Sequence, residues 1–166
     1  IGGGATNTIT SGAQLSTIGG GNVNTINNSA ANSTIGGGST NTITNGSSNS
    51  TIGGGNSNTI TNTGTYSTIG GGQSNSISSG THNFIGGGQT NIVSSGNWNS
   101  IIGGQNNTVN SGNYNGILGG ANNQVTGDYS FALGNTNTAA ANGFALGNTS
   151  NAAANEFYAK YSAGFV

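Results

Sequence analysis

The chain has no cysteine, no proline and no methionine, and only 2% of its 166 residues are charged. Without cysteine it can form neither disulfides nor cysteine-based metal sites. A single basic residue, a lysine, cannot neutralise a phosphate backbone, so we expect no binding to nucleic acid. The longest apolar runs are a few residues long, whereas a membrane span needs about 20. The sequence therefore predicts no membrane span in this segment.

Charge is absent from most of the chain, because the charged residues Asp128, Glu156 and Lys160 all lie near its end. The two acids lie in different copies of the repeat described below, and do not form the facing carboxylate pair that glycoside hydrolysis uses. His82 has no acid nearby in the sequence to orient it. Clusters of carboxylates that would bind Ca²⁺, or of histidines that would bind Zn²⁺, are also missing. We therefore expect no enzymatic activity, no metal site and no cofactor.

The residues that are abundant are Gly, Asn, Ser and Thr, with 34 glycines. Such a composition is typical of low-complexity disorder, because it buries little apolar surface. Disorder of that kind is usually accompanied by a high net charge, and the formal net charge of this chain is −1. The chain is also regularly repetitive, which favours an ordered structure.

The repeat is marked by an anchor isoleucine, which precedes three glycines in the first six copies. The spacing between anchors is constant from Ile1 to Ile69 and then shorter by one position up to Ile117, and Ala132 and Ala145 continue the series. A second β-branched residue follows each of the eight β-branched anchors by eight positions, and at that offset Ala140 and Ala153 take its place in the last two copies. The expected core consists of Ile1, Ile9, Ile18, Ile26, Ile35, Ile43, Ile52, Ile60, Ile69, Ile77, Ile85, Val93, Ile101, Val109, Ile117 and Val125.

Each half-repeat of about eight residues has room for one strand of about four or five residues and a tight turn. One large apolar residue with polar or Gly neighbours is the pattern of a half-buried strand, and no helical period is present. Gly and Asn between these segments tolerate the positive φ that tight turns require. The sequence therefore predicts an all-β fold, a parallel β-roll or β-solenoid of about ten short coils. At about 4.8 Å per coil, the rod would be about 50 Å long.

An asparagine stands two residues before each of the eight second core positions. Side chains repeated at one position of a stacked coil can form amide ladders along the axis. We expect such a structural ladder from Asn7, Asn24, Asn41, Asn58, Asn75, Asn91, Asn107 and Asn123.

The residue after the anchor changes from Gly in the first six copies to Ile102, Leu118, Leu133 and Leu146 in the last four. Neighbours on a strand point to opposite faces, so this column faces away from the core of its own coil. Another copy of the chain is the simplest means of burying it. Two aliphatic residues per coil also make a thin core, which favours oligomerisation. We therefore predict a subunit interface at these four positions.

An aromatic column stands three residues before five successive anchors: Tyr66, His82, Trp98, Tyr114 and Tyr129. Flat rings can bind sugars or other surfaces by stacking, which would make the column a binding stripe. Rings at one position of successive coils can equally stack on one another and stabilise the coils. Both interpretations remain open at the level of sequence.

Pairs of threonines flank the second core position in several copies, as at Thr8 and Thr10 or Thr42 and Thr44. Flat threonine arrays on β-solenoids resemble ice-binding faces. The pairs are replaced by Thr25 with Asn27 and by Ser76 with Ser78, whereas a working ice-binding face should be regular. An ice-binding solenoid is therefore an alternative hypothesis.

Residues 130–136, with the sequence SFALGNT, are repeated almost unchanged at 143–149 as GFALGNT. They resemble the S-x-A-x-G repeat of trimeric autotransporter adhesin heads of the Yersinia adhesin type, and similar repeats occur in phage and viral tail fibres. The segment 155–166 is similar to the one that closes such heads before a stalk or a further domain. The resemblance implies a left-handed parallel β-roll, three chains side by side, and attachment to surfaces or matrix.

We accordingly divide the chain into long-period coils at 1–127, adhesin-head-like repeats at 128–154 and a closing segment at 155–166. The function expected is that of a non-catalytic structural and adhesive segment in an extracellular fibre, on a cell surface or a virion. Its expected partners are two further copies of itself, together with a host-surface glycan or a matrix protein. A self-polymerising matrix filament is a second alternative, since the open edges of a solenoid can pair with one another.

Overall fold

The computed structural model describes residues 1–160 as a parallel β-solenoid of about ten coils. Within this range there is no helix, and so none that is long and apolar enough to cross a membrane. The twenty strands are β1 (Thr8–Ile9), β2 (Thr17–Ile18), β3 (Thr25–Ile26), β4 (Thr34–Ile35), β5 (Thr42–Ile43), β6 (Thr51–Ile52), β7 (Thr59–Ile60), β8 (Thr68–Ile69), β9 (Ser76–Ile77), β10 (Phe84–Ile85), β11 (Ile92–Val93), β12 (Ser100–Ile101), β13 (Thr108–Val109), β14 (Gly116–Ala121), β15 (Gln124–Val125), β16 (Phe131–Asn135), β17 (Thr138–Ala139), β18 (Phe144–Asn148), β19 (Asn151–Ala152) and β20 (Phe157–Lys160).

The strands form two ten-stranded parallel sheets, because the chain passes to the other sheet after every strand. Sheet A contains the even-numbered strands, whose inward residues are the anchors, and sheet B contains the odd-numbered strands. Each strand pairs in parallel with the equivalent strand of the next coil, for example Thr42 with Thr59 and Ile43 with Ile60. The all-β solenoid expected from the repeat is thus confirmed.

Sixteen of the twenty strands have only two residues, so the expected length of four or five is wrong for the first thirteen and for β15, β17 and β19. The glycine triplet starts directly after the inward isoleucine, and each coil turns again through residues with positive φ. In the coils that follow Gly116, sheet A lengthens to strands of four to six residues. The sequence there has fewer successive glycines, and the extended pairing runs on past the anchor.

The core lies between the two sheets as two columns of aliphatic side chains that are 0% exposed from Ile18 to Val125. Ile1 is 62% exposed and Ile9 is half-buried. Both residues lie in the first coil, which has a neighbouring coil on one side only in the structure.

The core changes from isoleucine and valine to alanine in the last coils. Ala132 and Ala145 occupy the anchor column, as expected. The second column continues through Ala139 and Ala152, and not through Ala140 and Ala153. The register between β14 and β16 shifts, because one residue fewer lies between the anchor and the turn. The second core column therefore moves forward by one position relative to the anchors.

The closing segment begins as a further coil and not as a separate element. β20 pairs with β18, placing Phe157 beside Phe144. Residues 161–166 of the predicted closing segment lie outside the residues that the structure describes.

Candidate functional site

The asparagine column forms a buried ladder that joins side chains to backbone. Asn75 is representative: its Nδ2 donates to the carbonyl oxygens of Gly71 and Gly88, each at 3.0 Å. Its Oδ1 accepts the backbone N–H of Asn91 in the next coil at 2.9 Å. Seven of the eight predicted residues, all except Asn7, are fully buried, and Asn137 continues the column. These amides are occupied by the fold itself and offer nothing to a ligand.

A second polar ladder lies beside the anchor column and was missed by the sequence reasoning. It uses the residue two positions before the anchor, so that Asn83 Oδ1 accepts the Asn99 N–H and Asn99 Oδ1 accepts the Asn115 N–H. The pattern is present in the sequence, because these residues precede the anchor by two positions, just as the first ladder precedes the second core residue by two. It is obscured in the sequence because the column changes from serine to asparagine and back to serine: Ser33, Ser50, Ser67, Asn83, Asn99, Asn115 and Ser130.

The five predicted aromatic residues form one continuous stack at a corner of the solenoid, called here the aromatic ridge. Their ring planes are within 2–11° of parallel. The ring centroids are 4.0 Å apart between His82 and Trp98 but 6.5 Å apart between Trp98 and Tyr114. All the rings except that of His82 are exposed. The two interpretations of this column are therefore not exclusive, since rings that stack on one another are also accessible.

The backbone at the ridge is left-handed, with φ from 53° at Tyr66 to 60° at Trp98 and Tyr114. This conformation costs roughly 1–2 kcal/mol for residues other than glycine, and asparagine adopts it more readily than other side chains. At the same corner of other coils the chain has Leu15, Asn32, Asn49, Asn142 and Asn155. The aromatic residues thus stand at a corner that asparagine occupies in most of the other coils.

The outer face of sheet A is apolar in the last coils. Ile102 and Leu118 are 49% and 50% exposed, and Leu133 and Leu146 are half-buried on the same face. The residue before the anchor adds a stack of three phenylalanines, with Phe131 and Phe144 4.6 Å apart and Phe157 a further 5.0 Å away. The sequence reasoning predicted the aliphatic column but missed the phenylalanines. We call these seven residues the apolar face.

A shallow groove of about 530 Å³ lies where the ridge meets the apolar face. It is lined by Gly116, at the start of β14, by Phe131 and by the ridge residues Trp98, Tyr114 and Tyr129. Asn115 and Ser130 also line it, but both side chains bond into the fold: Asn115 Oδ1 accepts the Ser130 N–H, and Ser130 Oγ donates to the Asp128 carbonyl. The groove is therefore apolar and uncharged.

Threonines of sheet B form an in-register row along the first coils, from Thr8 through Thr25 and Thr42 to Thr59. Ser76 and Ile92 occupy the next two places of the row. The threonine row thus extends over four coils, serine takes the next place, and an aliphatic side chain then interrupts the row.

Both carboxylates accept backbone hydrogen bonds, that of Asp128 from the neighbouring coil and that of Glu156 within its own turn. Asp128 Oδ1 accepts the N–H of Asn113 at 2.7 Å, and Glu156 Oε2 accepts the N–H of Ala153 at 2.9 Å. Among residues 1–160, no three His, Cys, Asp or Glu side chains come together in a way that could hold a metal ion. The candidate site is thus a surface of rings and aliphatic side chains.

Comparison of the chain with models of known protein families gave no match, and neither did comparison with curated proteins.

Proposed function

We propose that this chain is a non-catalytic structural and adhesive segment of a homotrimeric extracellular fibre, on a cell surface or a virion. The three copies would lie side by side with the apolar face of each turned toward the fibre axis. A host-surface glycan or a matrix protein is the proposed target of the exposed surface. The solenoid supports this role, because ten coils make a rod about 50 Å long.

One observation carries the proposal: the last coils have larger and more apolar side chains on their outer face than in their core. Their core positions are alanines, Ala132, Ala139, Ala145 and Ala152, all nearly or fully buried. Leucine and phenylalanine, which would normally fill a core, lie instead on the outer face of sheet A. Alanine contributes little hydrophobic stabilisation, whereas burying a Leu or Phe side chain contributes about 1.5–3 kcal/mol. These coils gain most of their apolar burial only if another molecule covers that face.

A closed ring of copies fits this face better than a one-sided partner. The apolar face is continuous along the rod axis, since Leu133 is in register with Leu146 and Phe131 with Phe144. Identical chains placed side by side present identical rows, so each residue can meet its own equivalent across a symmetry axis. In the earlier coils this side of sheet A carries Thr and Gly, as at Thr34 and Gly36, and contributes little to such an interface.

The first test is the solution mass, measured by light scattering after size-exclusion chromatography. We expect about three times 16.0 kDa for the unaltered chain. Replacing Leu133 and Leu146 together by Ser should shift the mass toward one chain, because it removes two apolar side chains from each contact surface. The matched control is Ile92→Ser, which removes an aliphatic side chain from the outer face of sheet B.

A trimeric wild type with a trimeric double variant would place the interface elsewhere and overturn the assignment of the apolar face. A monomeric wild type would overturn the fibre proposal and leave the threonine row of sheet B, and with it ice binding, as the hypothesis to pursue. Large species without a defined upper size would point to a self-polymerising filament.

A further inference from the structure

We infer that the groove over Gly116 receives the side chain of Leu118 from a neighbouring copy of this chain. The inference rests on the side-by-side fibre proposed above and gives its interface one defined contact. Each copy inserts one leucine into the copy on one side and receives one from the copy on the other side. The contact also fixes the height at which the copies lie beside one another.

Two columns of side chains run along the outer face of sheet A, one before the anchor and one after it. The column before the anchor is Phe84, Ser100, Gly116, Phe131 and Phe144 in successive coils. The column after the anchor is Gly86, Ile102, Leu118, Leu133 and Leu146. In the coils of Ser100 and Gly116 the first column is therefore small while the second is large.

The second column projects furthest in the coils whose first column is small. The ring of Phe84 shows the reason, because its Cε1 would lie 3.3 Å from a Cβ placed on Gly86. A phenylalanine before the anchor thus lies against the position after the anchor. Leu133, which also follows a phenylalanine, is half-buried, whereas Leu118 and Ile102 are 50% and 49% exposed.

The groove beside Leu118 is shaped for an apolar side chain. A Cβ on Gly116 would lie 3.0 Å from Phe131 Cδ2, so the space exists only because position 116 has no side chain. The two polar side chains that line the groove, those of Asn115 and Ser130, are bonded within the fold. An aliphatic side chain can therefore enter without leaving a polar group unpaired. The groove also adjoins the apolar face, which the proposed fibre covers.

Three-fold symmetry brings the second column of one copy to the first column of the next. When three like faces surround an axis, the left-hand column of each face lies against the right-hand column of its neighbour. Copies in a closed ring have no offset along the axis, because an offset generates an open helix. Leu118 and Gly116 belong to one coil, on either side of Ile117, and so meet at the same height. Ile102 meets Ser100 in the same way one coil below.

This arrangement identifies the occupant as another copy of the chain. One coil carries both the projecting leucine and the space that accepts it, so the surface is complementary to itself. The contact is uncharged on both sides, since Leu118 and the residues lining the groove carry no charge. It adds shape to an interface that hydrophobic burial alone would leave free to slide along the axis.

Disulfide cross-linking tests the contact, because the chain has no cysteine of its own. Leu118→Cys and Gly116→Cys are made in separate chains with tags of different length, coexpressed and oxidised. A disulfide needs Cα atoms within about 7 Å, so we expect at least about fivefold more mixed dimer than either variant gives alone. Leu118→Cys with Phe84→Cys is the control and should give no mixed dimer, since Phe84 lies two coils below Gly116, about 10 Å along the axis.

Two further sets of variants keep the test independent of the fold of Gly116→Cys. Ser100→Cys with Ile102→Cys repeats the cross-link one coil lower and should also give a mixed dimer. Gly116→Phe fills the groove, and its solution mass should fall toward one chain at a concentration at which the wild type is a trimer. Adding Leu118→Ala makes room for that ring and should restore the trimer. Thr51→Phe, in the same column four coils below, should leave the mass unchanged.

A trimeric wild type that gives no mixed dimer with either cysteine pair overturns the inference and leaves the fibre proposal intact. Equal yields from Leu118→Cys alone and from the mixed pair also overturn it, because the leucines would then meet one another at the axis. A Gly116→Phe variant that stays trimeric shows that nothing enters the groove. A monomeric wild type rejects the fibre itself, and the contact with it.

Discussion

Replacing Gly72 by Ala is expected to destabilise the solenoid by more than about 4 kcal/mol, the range reached only by severe mutations. Gly72 has φ of +89°, where an L side chain is strained. A Cβ there would overlap the carbonyl oxygen of Gly88 and come within 2.8 Å of Asn75 Nδ2. The obstructing atoms cannot move away easily, because Gly88 O accepts the Gln73 N–H that joins the two coils.

The matched control is the preceding residue. A Cβ on Gly71 would have no neighbour nearer than the carbonyl oxygen of Gly54, at 3.9 Å, and its φ is not in the left-handed region. Thermal unfolding followed by circular dichroism should show Gly72→Ala melting about 10 °C or more below the wild type, and Gly71→Ala melting within a few degrees of it. Equal melting temperatures of the two variants would contradict the close contact between neighbouring coils at the third glycine of the triplet.

Asn75→Ala is expected to lower the free energy of unfolding by about 3–5 kcal/mol, because it leaves buried backbone groups without a hydrogen-bond partner. The substitution removes the acceptor of the Asn91 N–H and a donor to the carbonyl oxygens of Gly71 and Gly88. Gly88 O still accepts the Gln73 N–H, whereas the Asn91 N–H has no second partner. A lone buried donor of this kind costs about 1–3 kcal/mol, and the lost side-chain packing adds to it.

Gln73→Ala is the control, since Gln73 lies two residues earlier and is exposed. We expect this variant to unfold within about 0.5 kcal/mol of the wild type. Asn75→Ser should fall between the two, because Ser150 occupies the equivalent place in a later coil and donates to the carbonyl oxygen of Leu146 at 2.8 Å. Chemical denaturation of the three variants measures their free energies of unfolding. Equal values for Asn75→Ala and Gln73→Ala would contradict the stabilising role of the ladder.

Several features of the candidate site could not be predicted from the sequence, and each has a physical reason. The phenylalanine stack was missed because Ser100 and Gly116 interrupt its column between Phe84 and Phe131. The end of the second core column was placed one residue late, at Ala140, because a one-residue shortening of the coil is visible only in the register of β14 and β16. The groove at Gly116 is created by a missing side chain, and a missing side chain has meaning only when its neighbours in space are known.

The sequence by itself determined the all-β class, the number of coils and, as far as Val125, which residues face inward. Identical offsets between Ile77, Asn75 and their equivalents in every copy place like residues above one another once the coils stack, so periodicity is sufficient to assign the columns. Only the tertiary structure decided which ring faces are covered and where a groove opens. These properties depend on distances across neighbouring coils, such as the 6.5 Å step beside Tyr114, and residues that meet across coils are far apart in the chain.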